Sequence, residues 1–108
     1  MSQNQNENRV KLDLNCEVFQ ENLLSLDKTE AGRVLATLKK LRKMTWIQVY
    51  RDQGLKWEKI GSVEPPEGID AVYSIRITQA RRATAYRKGD FIRFLTVERD
   101  HDTTYGKK

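Results

Sequence analysis

The feature that most constrains this chain is a change of hydrophobic period at Gly54. Before this residue, apolar side chains recur at the spacing of amphipathic helices. After it, apolar and polar side chains alternate, as they do in strands that have one buried face. A helical half followed by a strand half is typical of an α+β domain, in which helices cover one face of a sheet.

Two or three helices are predicted in the first half, after a short strand over residues 10–15. Apolar spacing predicts the first helix over residues 16–26. Asp27 and Glu30 have the spacing of a capping box and predict the start of a second helix. The apolar stripe of this second helix consists of Val34, Leu35, Leu38 and Leu41. Because so few residues separate these two helices, we expect them to pack as a hairpin, and a third, capped helix is expected over residues 45–50.

Four strands are predicted in the second half, over residues 55–60, 71–78, 82–87 and 90–98. The last of them is apolar on both faces, which favours a central position in the sheet. Lys88-Gly89 is a plausible two-residue hairpin turn before it. These elements predict a two-layer α+β fold, with an N-terminal helical hairpin packed on a twisted antiparallel sheet of about four strands.

The length and the termini predict one domain. At 108 residues the chain is long enough for one modest core. Residues 1–9 are polar and are predicted to be a disordered lead-in, and residues 10–108 to be a single domain. The sequence has no apolar run long enough to span a membrane and no apolar core of a signal peptide. Because the single cysteine, Cys16, cannot form an internal disulfide and suits a reducing compartment, a cytoplasmic location is expected.

The positive charge of the chain is concentrated in its last third. The net charge is +5, but residues 1–70 hold 11 Lys and Arg against 11 Asp and Glu. Residues 71–108 hold 9 Lys and Arg against 4 Asp and Glu, and so carry the whole excess. Most of these cations are arginines, whose planar fork suits phosphate recognition. The asymmetry favours a nucleic-acid surface, although a solvated basic face is the simpler alternative.

Strand alternation directs several of these cations to one face of the sheet. If the helices cover the face that carries Ile75 and Ala83, the opposite face receives polar side chains. The residues expected on this open face are Arg76, Arg82, Tyr86 and Arg93. The end of the last strand would bring Glu98, Arg99 and His101 to its edge. The sequence therefore predicts a concave basic surface with the only histidine at its rim.

This C-terminal half resembles the RelE/ParE superfamily of bacterial toxins. The resemblance lies in the run YSIRITQARRATAYRKGDFIRFLTVERDHDTTYG. It consists of a Y-x-I-R-x strand, an arginine that opens the next strand, and a last apolar strand that ends in His or Arg with a Tyr shortly after. The preceding helical hairpin with a short leading strand is also the order of the family. The resemblance implies two packed helices against a twisted antiparallel sheet.

The resemblance implies one of two activities. RelE-like members cleave messenger RNA in the ribosomal A site without a metal, whereas ParE-like members inhibit DNA gyrase. In the RelE-like case Arg76 and Arg82 would hold and stabilise the scissile phosphate, and residues 99–105 would supply acid–base chemistry and base stacking. Many RelE-like ribonucleases carry lysines or a glutamate where this chain has Ser74, Arg76 and Glu98, so the general base stays open.

The chemistry of the rim can be judged from its residues. Metal-free RNA cleavage needs a base for the 2′-hydroxyl, cations for the crowded phosphorane and an acid for the 5′-oxygen. Histidine is the one side chain whose unperturbed pKa lies near neutrality, so His101 is predicted to be the acid, with Glu98 a weaker candidate for the base. Tyr105 is expected to stack on a base or orient the nucleotide. Asp100 and Asp102 alternate away from His101 in an extended segment, so no metal site is predicted.

The remaining predictions concern binding. The further residues expected to bind RNA are Arg81, Arg87, Arg93, Arg99, Tyr86, Lys107 and Lys108. The expected partners are messenger RNA, the ribosome with its 16S rRNA, and a cognate antitoxin that covers the basic face with acidic and apolar residues. No cofactor or metal is expected. The alternatives are a gyrase inhibitor and a noncatalytic basic module that binds nucleic acid or protein.

Overall fold

The computed structural model describes residues 5–99. A 3-10 helix, three α-helices and five strands follow one another along this part of the chain. In order, they are the 3-10 helix Gln5–Glu7, β1 Lys11–Asp13, α1 Glu17–Leu24, α2 Lys28–Arg42, α3 Trp46–Arg51, β2 Glu58–Ile60, β3 Val72–Thr78, β4 Arg81–Lys88 and β5 Phe91–Arg99. None of the α-helices within residues 5–99 has the length and apolar character needed to cross a membrane.

The sheet is mixed and has the strand order β1-β5-β4-β3-β2. The predicted two-layer α+β fold is confirmed, but the sheet has five strands instead of about four. β2 to β5 form the predicted antiparallel meander, whereas β1 pairs in parallel with β5. A parallel pair needs a long connection, and here the helices and β2 to β4 lie between β1 and β5 in the chain. β5 is an interior strand, although β4 is the middle one.

The hairpin between β4 and β5 turns one residue later than predicted. Lys88 pairs with Phe91, so Gly89 and Asp90 are the two loop residues. Gly89 has a φ of 61°, a conformation that glycine adopts without steric cost. A positive φ at the first loop position matches the right-handed twist of the flanking strands. β2 is also shorter than predicted, since Lys56 has a φ of 48° and precedes the ladder.

The helix caps explain where α2 and α3 begin. The Asp27 carboxylate accepts a hydrogen bond from the Glu30 N–H at 2.8 Å, as predicted. The other hydrogen bond of the predicted capping box, from the Asp27 N–H to the Glu30 carboxylate, is replaced, because this carboxylate accepts from the Arg81 Nε instead. α3 has a complete capping box between Thr45 and Gln48.

The core lies between the helices and one face of the sheet. Phe19 of α1 packs on Phe94 of β5 with ring centroids 5.2 Å apart, and Ile75 is also fully buried. Ala83 and Ala85 of β4 are fully buried on the same face. The prediction for Leu35 of α2 is wrong. It is 47% exposed, because the buried stripe of that helix consists of Val34, Leu38 and Leu41.

The segment before β1 differs from the predicted lead-in. Residues 5–9 are packed against the turn between β4 and β5 and against α3. The Asn8 side chain donates to the Asp90 carboxylate at 3.2 Å, and the Asn8 carbonyl accepts from the Trp46 N–H at 3.1 Å. The polar side chains that suggested disorder instead satisfy the polar groups of a turn and a helix start.

Candidate active site

The face of the sheet opposite the core carries most of the cations of the last three strands. Neighbouring side chains on a strand point to opposite faces, so the residues next to buried Ile75, Ala83 and Phe94 face away from the helices. We call this surface the open face. Ser74 and Thr84 lie in its centre, and both are nearly buried beneath their longer neighbours.

Two arginines and a glutamate lie side by side across three strands of the open face. Arg76 of β3 pairs with Arg82 of β4, and Arg82 pairs with Glu98 of β5. Side chains of directly paired residues on one face have Cβ atoms about 5 Å apart. We call these three residues the arginine row. The sequence prediction that they share one face is therefore supported by the strand register.

The arginine row contains an unsatisfied donor. The Nε atom of Arg82 is buried and has no hydrogen-bond partner among residues 5–99. Within the same residues, neither Arg76 nor Arg82 forms an ion pair. A buried donor without an acceptor costs about 1–3 kcal/mol, and like charges directly opposite each other destabilise a sheet further. An anion bound between the two guanidinium groups would offset the repulsion between the two like charges.

Two threonines orient the carboxylate of this row. The Thr96 hydroxyl donates to Glu98 Oε2 at 2.9 Å, so the Thr84 hydroxyl must be the donor in its 2.6 Å hydrogen bond with Thr96. A register shift makes this geometry possible, because Thr84 pairs with Thr96 while Ala85 pairs with Phe94. The extra residue is Leu95, and such a bulge is a common way to re-aim side chains beside a functional site. Sequence reasoning missed both threonines.

A second feature of the open face lies beside the turn between β4 and β5. It is a depression of about 340 Å³ lined by Asp13, Tyr86, Lys88, Phe91 and Arg93. The Arg93 guanidinium forms an ion pair with Asp13 at 3.2 Å, and Tyr86 pairs with Arg93 across the sheet. We call these five residues the distal pocket. Tyr86 and Arg93 thus lie on the predicted face, away from the arginine row.

Three other predicted RNA-binding arginines lie on the helix-covered side. Arg81 donates to the Glu30 carboxylate of α2 at 2.8 Å. Arg99 pairs with Arg81 across the sheet and therefore points to the same side. Arg87 stacks on the Trp46 ring at 4.1 Å and donates to the Tyr50 hydroxyl at 2.8 Å. The register thus separates these arginines from the open face, because they occupy the alternate positions of their strands.

The last predicted site residues cannot be placed. His101, Tyr105, Lys107 and Lys108 lie outside the described residues. By sequence, His101 follows two residues after the end of β5, which also carries Glu98. Within residues 5–99, no group of three or more His, Cys, Asp and Glu side chains is arranged to hold a metal ion.

Comparison with solved structures finds the same fold in three proteins of microbial origin. A chain of the archaeal RelE–RelB complex from Pyrococcus horikoshii OT3 is 21% identical, with a TM-score of 0.53 over 86% of this chain and 94% of that one. A chain of the RelB–RelE antitoxin–toxin complex from Methanococcus jannaschii is 18% identical, with a TM-score of 0.50 over 88% and 98%. The YoeB dimer from Staphylococcus aureus is 17% identical, with a TM-score of 0.51 over 84% and 97%.

These likenesses confirm the predicted resemblance at the level of the fold. They cover most of this chain and nearly all of the solved chains. The sequence matches no protein-family model and no curated protein. The identities are low, so what the chain shares with these proteins is the architecture, and its chemistry has to be argued from its own residues.

Proposed function

We propose that this chain, which has the fold of the RelE and YoeB structures, is the toxin of a toxin–antitoxin pair and a metal-independent endoribonuclease that cleaves messenger RNA on the ribosome. The observation that carries the proposal is the arginine row on the open face, in which two neighbouring arginines form no ion pair among residues 5–99. A phosphodiester would give the guanidinium groups of Arg76 and Arg82 the ion-pair partner that neither has among residues 5–99. Cleavage of messenger RNA would inhibit translation.

In the proposed reaction the two arginines act on the phosphate. Arg76 and Arg82 bind the non-bridging oxygens of the scissile phosphate, whose negative charge increases as the phosphorane forms. Donors already fixed in position stabilise this charge without reorganisation. Arg82 is the stronger candidate, because it stands between Arg76 and Glu98 in the row, beside both the second cation and the proposed base.

Glu98 and His101 are assigned the proton transfers. Glu98 accepts the proton of the 2′-hydroxyl while the 2′-oxygen attacks phosphorus and the bond to the 5′-oxygen breaks. His101 donates a proton to the departing 5′-oxygen, which leaves as a 5′-hydroxyl. The other product is a 2′,3′-cyclic phosphate, which water can open to a 3′-phosphate. The hydrogen bond from Thr96 holds the Glu98 carboxylate in position for its part.

The proposed partners follow from the same surface. Messenger RNA and the 16S rRNA of the ribosome are anionic, and the open face presents Arg76, Arg82 and Arg93 to them. Tyr105 is assigned base stacking, and Lys107 and Lys108 are assigned phosphate contacts. An antitoxin with acidic and apolar residues would cover the open face and block the arginine row. The proposed place of action is the cytoplasm, where translation occurs.

The test is to induce the chain in bacteria and map the 5′ ends of messenger RNA. The wild type is expected to produce cuts phased with codons, and Arg82→Ala, Glu98→Gln and His101→Ala are expected to lose them. Arg42→Ala, an exposed arginine in the last turn of α2, is the matched control and should cut like the wild type. DNA breaks and an SOS response without such cuts would support a gyrase inhibitor instead, and an absence of toxicity would support a noncatalytic module.

A further inference from the structure

We infer that the distal pocket is a base-stacking subsite for the RNA strand that is cut at the arginine row. The inference rests on the proposed function and adds to it a second point at which the substrate is held. The subsite would take one unpaired nucleobase between aromatic side chains and the adjacent phosphates on the surrounding cations. Its ligand is therefore single-stranded RNA that continues beyond the nucleotides at the scissile bond.

The aromatic side chains of the pocket lie at the surface, outside the hydrophobic core. Phe91 is 45% exposed at the start of β5, whereas Phe94 on the same strand is fully buried. Tyr86 lies on the same side of the sheet as Phe91 and also lines the pocket. An exposed aromatic face beside a second aromatic ring is the arrangement on which unpaired bases stack, and it accepts any base because every base has a π-face.

The charges around these rings favour a polyanion. Lys88 and Arg93 line the pocket, and the Nζ atom of Lys11 lies 5.8 Å from the centre of the Phe91 ring. Asp13 neutralises part of this charge through its ion pair with Arg93. That pair uses one nitrogen of the guanidinium and fixes its plane, which leaves other N–H donors for a phosphate. The net charge of the pocket residues and Lys11 is positive, which favours a negatively charged partner over an apolar one.

The pocket is continuous with the arginine row. Tyr86 and Arg82 lie four residues apart on β4, on the same face, and thus about 13 Å apart along the strand. On this face of the strand only Thr84 lies between them, and its small side chain is almost buried. No long side chain of β4 therefore separates the two sites. An RNA strand that follows β4 can contact Arg82 and Tyr86 at once.

The test measures binding of a fluorescein-labelled oligouridylate of about eight nucleotides by fluorescence anisotropy. Phe91→Leu keeps an apolar side chain but removes the aromatic face, so it should weaken binding about tenfold. Phe91→Trp should retain the wild-type affinity. Lys88→Ala should reduce the slope of log affinity against log salt concentration by about one, the value for one phosphate contact. Phe91→Leu should leave this slope unchanged. Leu24→Ala, an exposed apolar residue of α1, is the control.

The outcomes separate this inference from the proposed function, because cleavage is mapped in cells with the same variants. Equal affinity of wild type and Phe91→Leu for the RNA overturns the subsite, even when cleavage at the arginine row is confirmed. A specific loss with Phe91→Leu supports the subsite, even if no variant and no wild type cuts RNA. If Phe91→Leu instead weakens only the complex with the antitoxin, the pocket is a protein-docking surface and the inference is wrong.

Discussion

Arg81 and Arg82 are neighbours on β4, and their surroundings are opposite. Arg81 faces the helices and forms an ion pair with Glu30 at 2.8 Å. Arg82 faces away from them, stands between Arg76 and Glu98, and has a buried Nε without a partner among the described residues. One side of the strand satisfies its charges and the other does not. Arg81 therefore contributes to the stability of the fold through its ion pair, whereas in the proposed function Arg82 is the residue that awaits a phosphate.

The largest effects should come from replacing each of these two arginines with alanine in turn. Arg82→Ala is expected to lower messenger RNA cleavage by about a hundredfold to a thousandfold, since a fixed donor to the phosphorane is lost. Its free energy of unfolding should stay the same or rise, because a buried unpaired donor and a like-charge contact are removed. Cleavage is measured by mapping 5′ ends and stability by urea unfolding.

Arg81→Ala should do the reverse. It is expected to lower the free energy of unfolding by about 1 kcal/mol, because it breaks a partly exposed ion pair, and to leave cleavage intact. If Arg82→Ala proves to be the more destabilising variant, the contrast between the two sides of β4 is wrong.

Arg87 extends the comparison to the far end of the same strand. Its guanidinium stacks on Trp46 and donates to the Asn6 side chain, the Tyr50 hydroxyl and the Gly89 carbonyl. Arg87→Ala should therefore lower the free energy of unfolding by about 2 kcal/mol. Arg87→Lys should recover little of this, because an ammonium group cannot reproduce the planar stack and fork. Unfolding in urea measures both, and wild-type stability of Arg87→Ala would contradict a structural role.

The next effect is a loss of cleavage rate when the Glu98 carboxylate loses its hydrogen bond. Thr96→Val keeps the shape of the side chain but removes the hydrogen bond to Glu98, so the rate of cleavage should fall about tenfold through misplacement of the base. Thr96→Ser should restore it. With purified ribosomes, the change should appear in kcat while KM stays constant. A change in KM alone would mean that Thr96 only supports substrate binding.

Much of the open face could be predicted from the sequence, because strand alternation is strict. Once one residue of a strand is assigned to the buried face, alternation assigns all the others, and this places Arg76, Arg82 and Arg93 on the opposite face. The threonine hydrogen bonds could not be predicted in the same way. They depend on a bulge at Leu95, and a bulge changes the pairing of two strands without a reliable signal in either one.

The helix-covered side was less predictable for a different reason. Composition could assign the buried alanines of β4, but not the partners of Arg87, since Asn6 lies 81 residues away in a polar segment that composition favours as disordered. Long-range polar contacts of this kind depend on the completed fold. Glu30 is a similar case, because local spacing predicted a role in the cap of α2 and the tertiary structure gave it to Arg81.

The smallest effect concerns a charge pair next to the helices, at the end of α3. Asp52 forms an ion pair with Lys40 at 3.1 Å and accepts a hydrogen bond from the Leu55 N–H at 2.9 Å. Burial alone would raise the pKa of Asp52, but the Leu55 N–H, Lys40 and the Gly54 N–H together outweigh it and hold the pKa below its usual value. A lowered pKa in the folded state means that the charged form stabilises the fold.

The contribution of Asp52 should therefore depend on pH. It is fully present above the pKa of the unfolded chain, about 3.9, and is lost as the pH falls through the lower pKa of the folded state. Asp52→Asn should be less stable than the wild type by at most about 1 kcal/mol at neutral pH, and this difference should shrink below about pH 4. Urea unfolding across a pH series measures it. Lys40→Met, which leaves the hydrogen bond from the Leu55 N–H to Asp52, should lower the free energy of unfolding by less than Asp52→Asn does. If the difference in stability between Asp52→Asn and the wild type persists unchanged at low pH, the carboxylate acts here through its shape and not its charge.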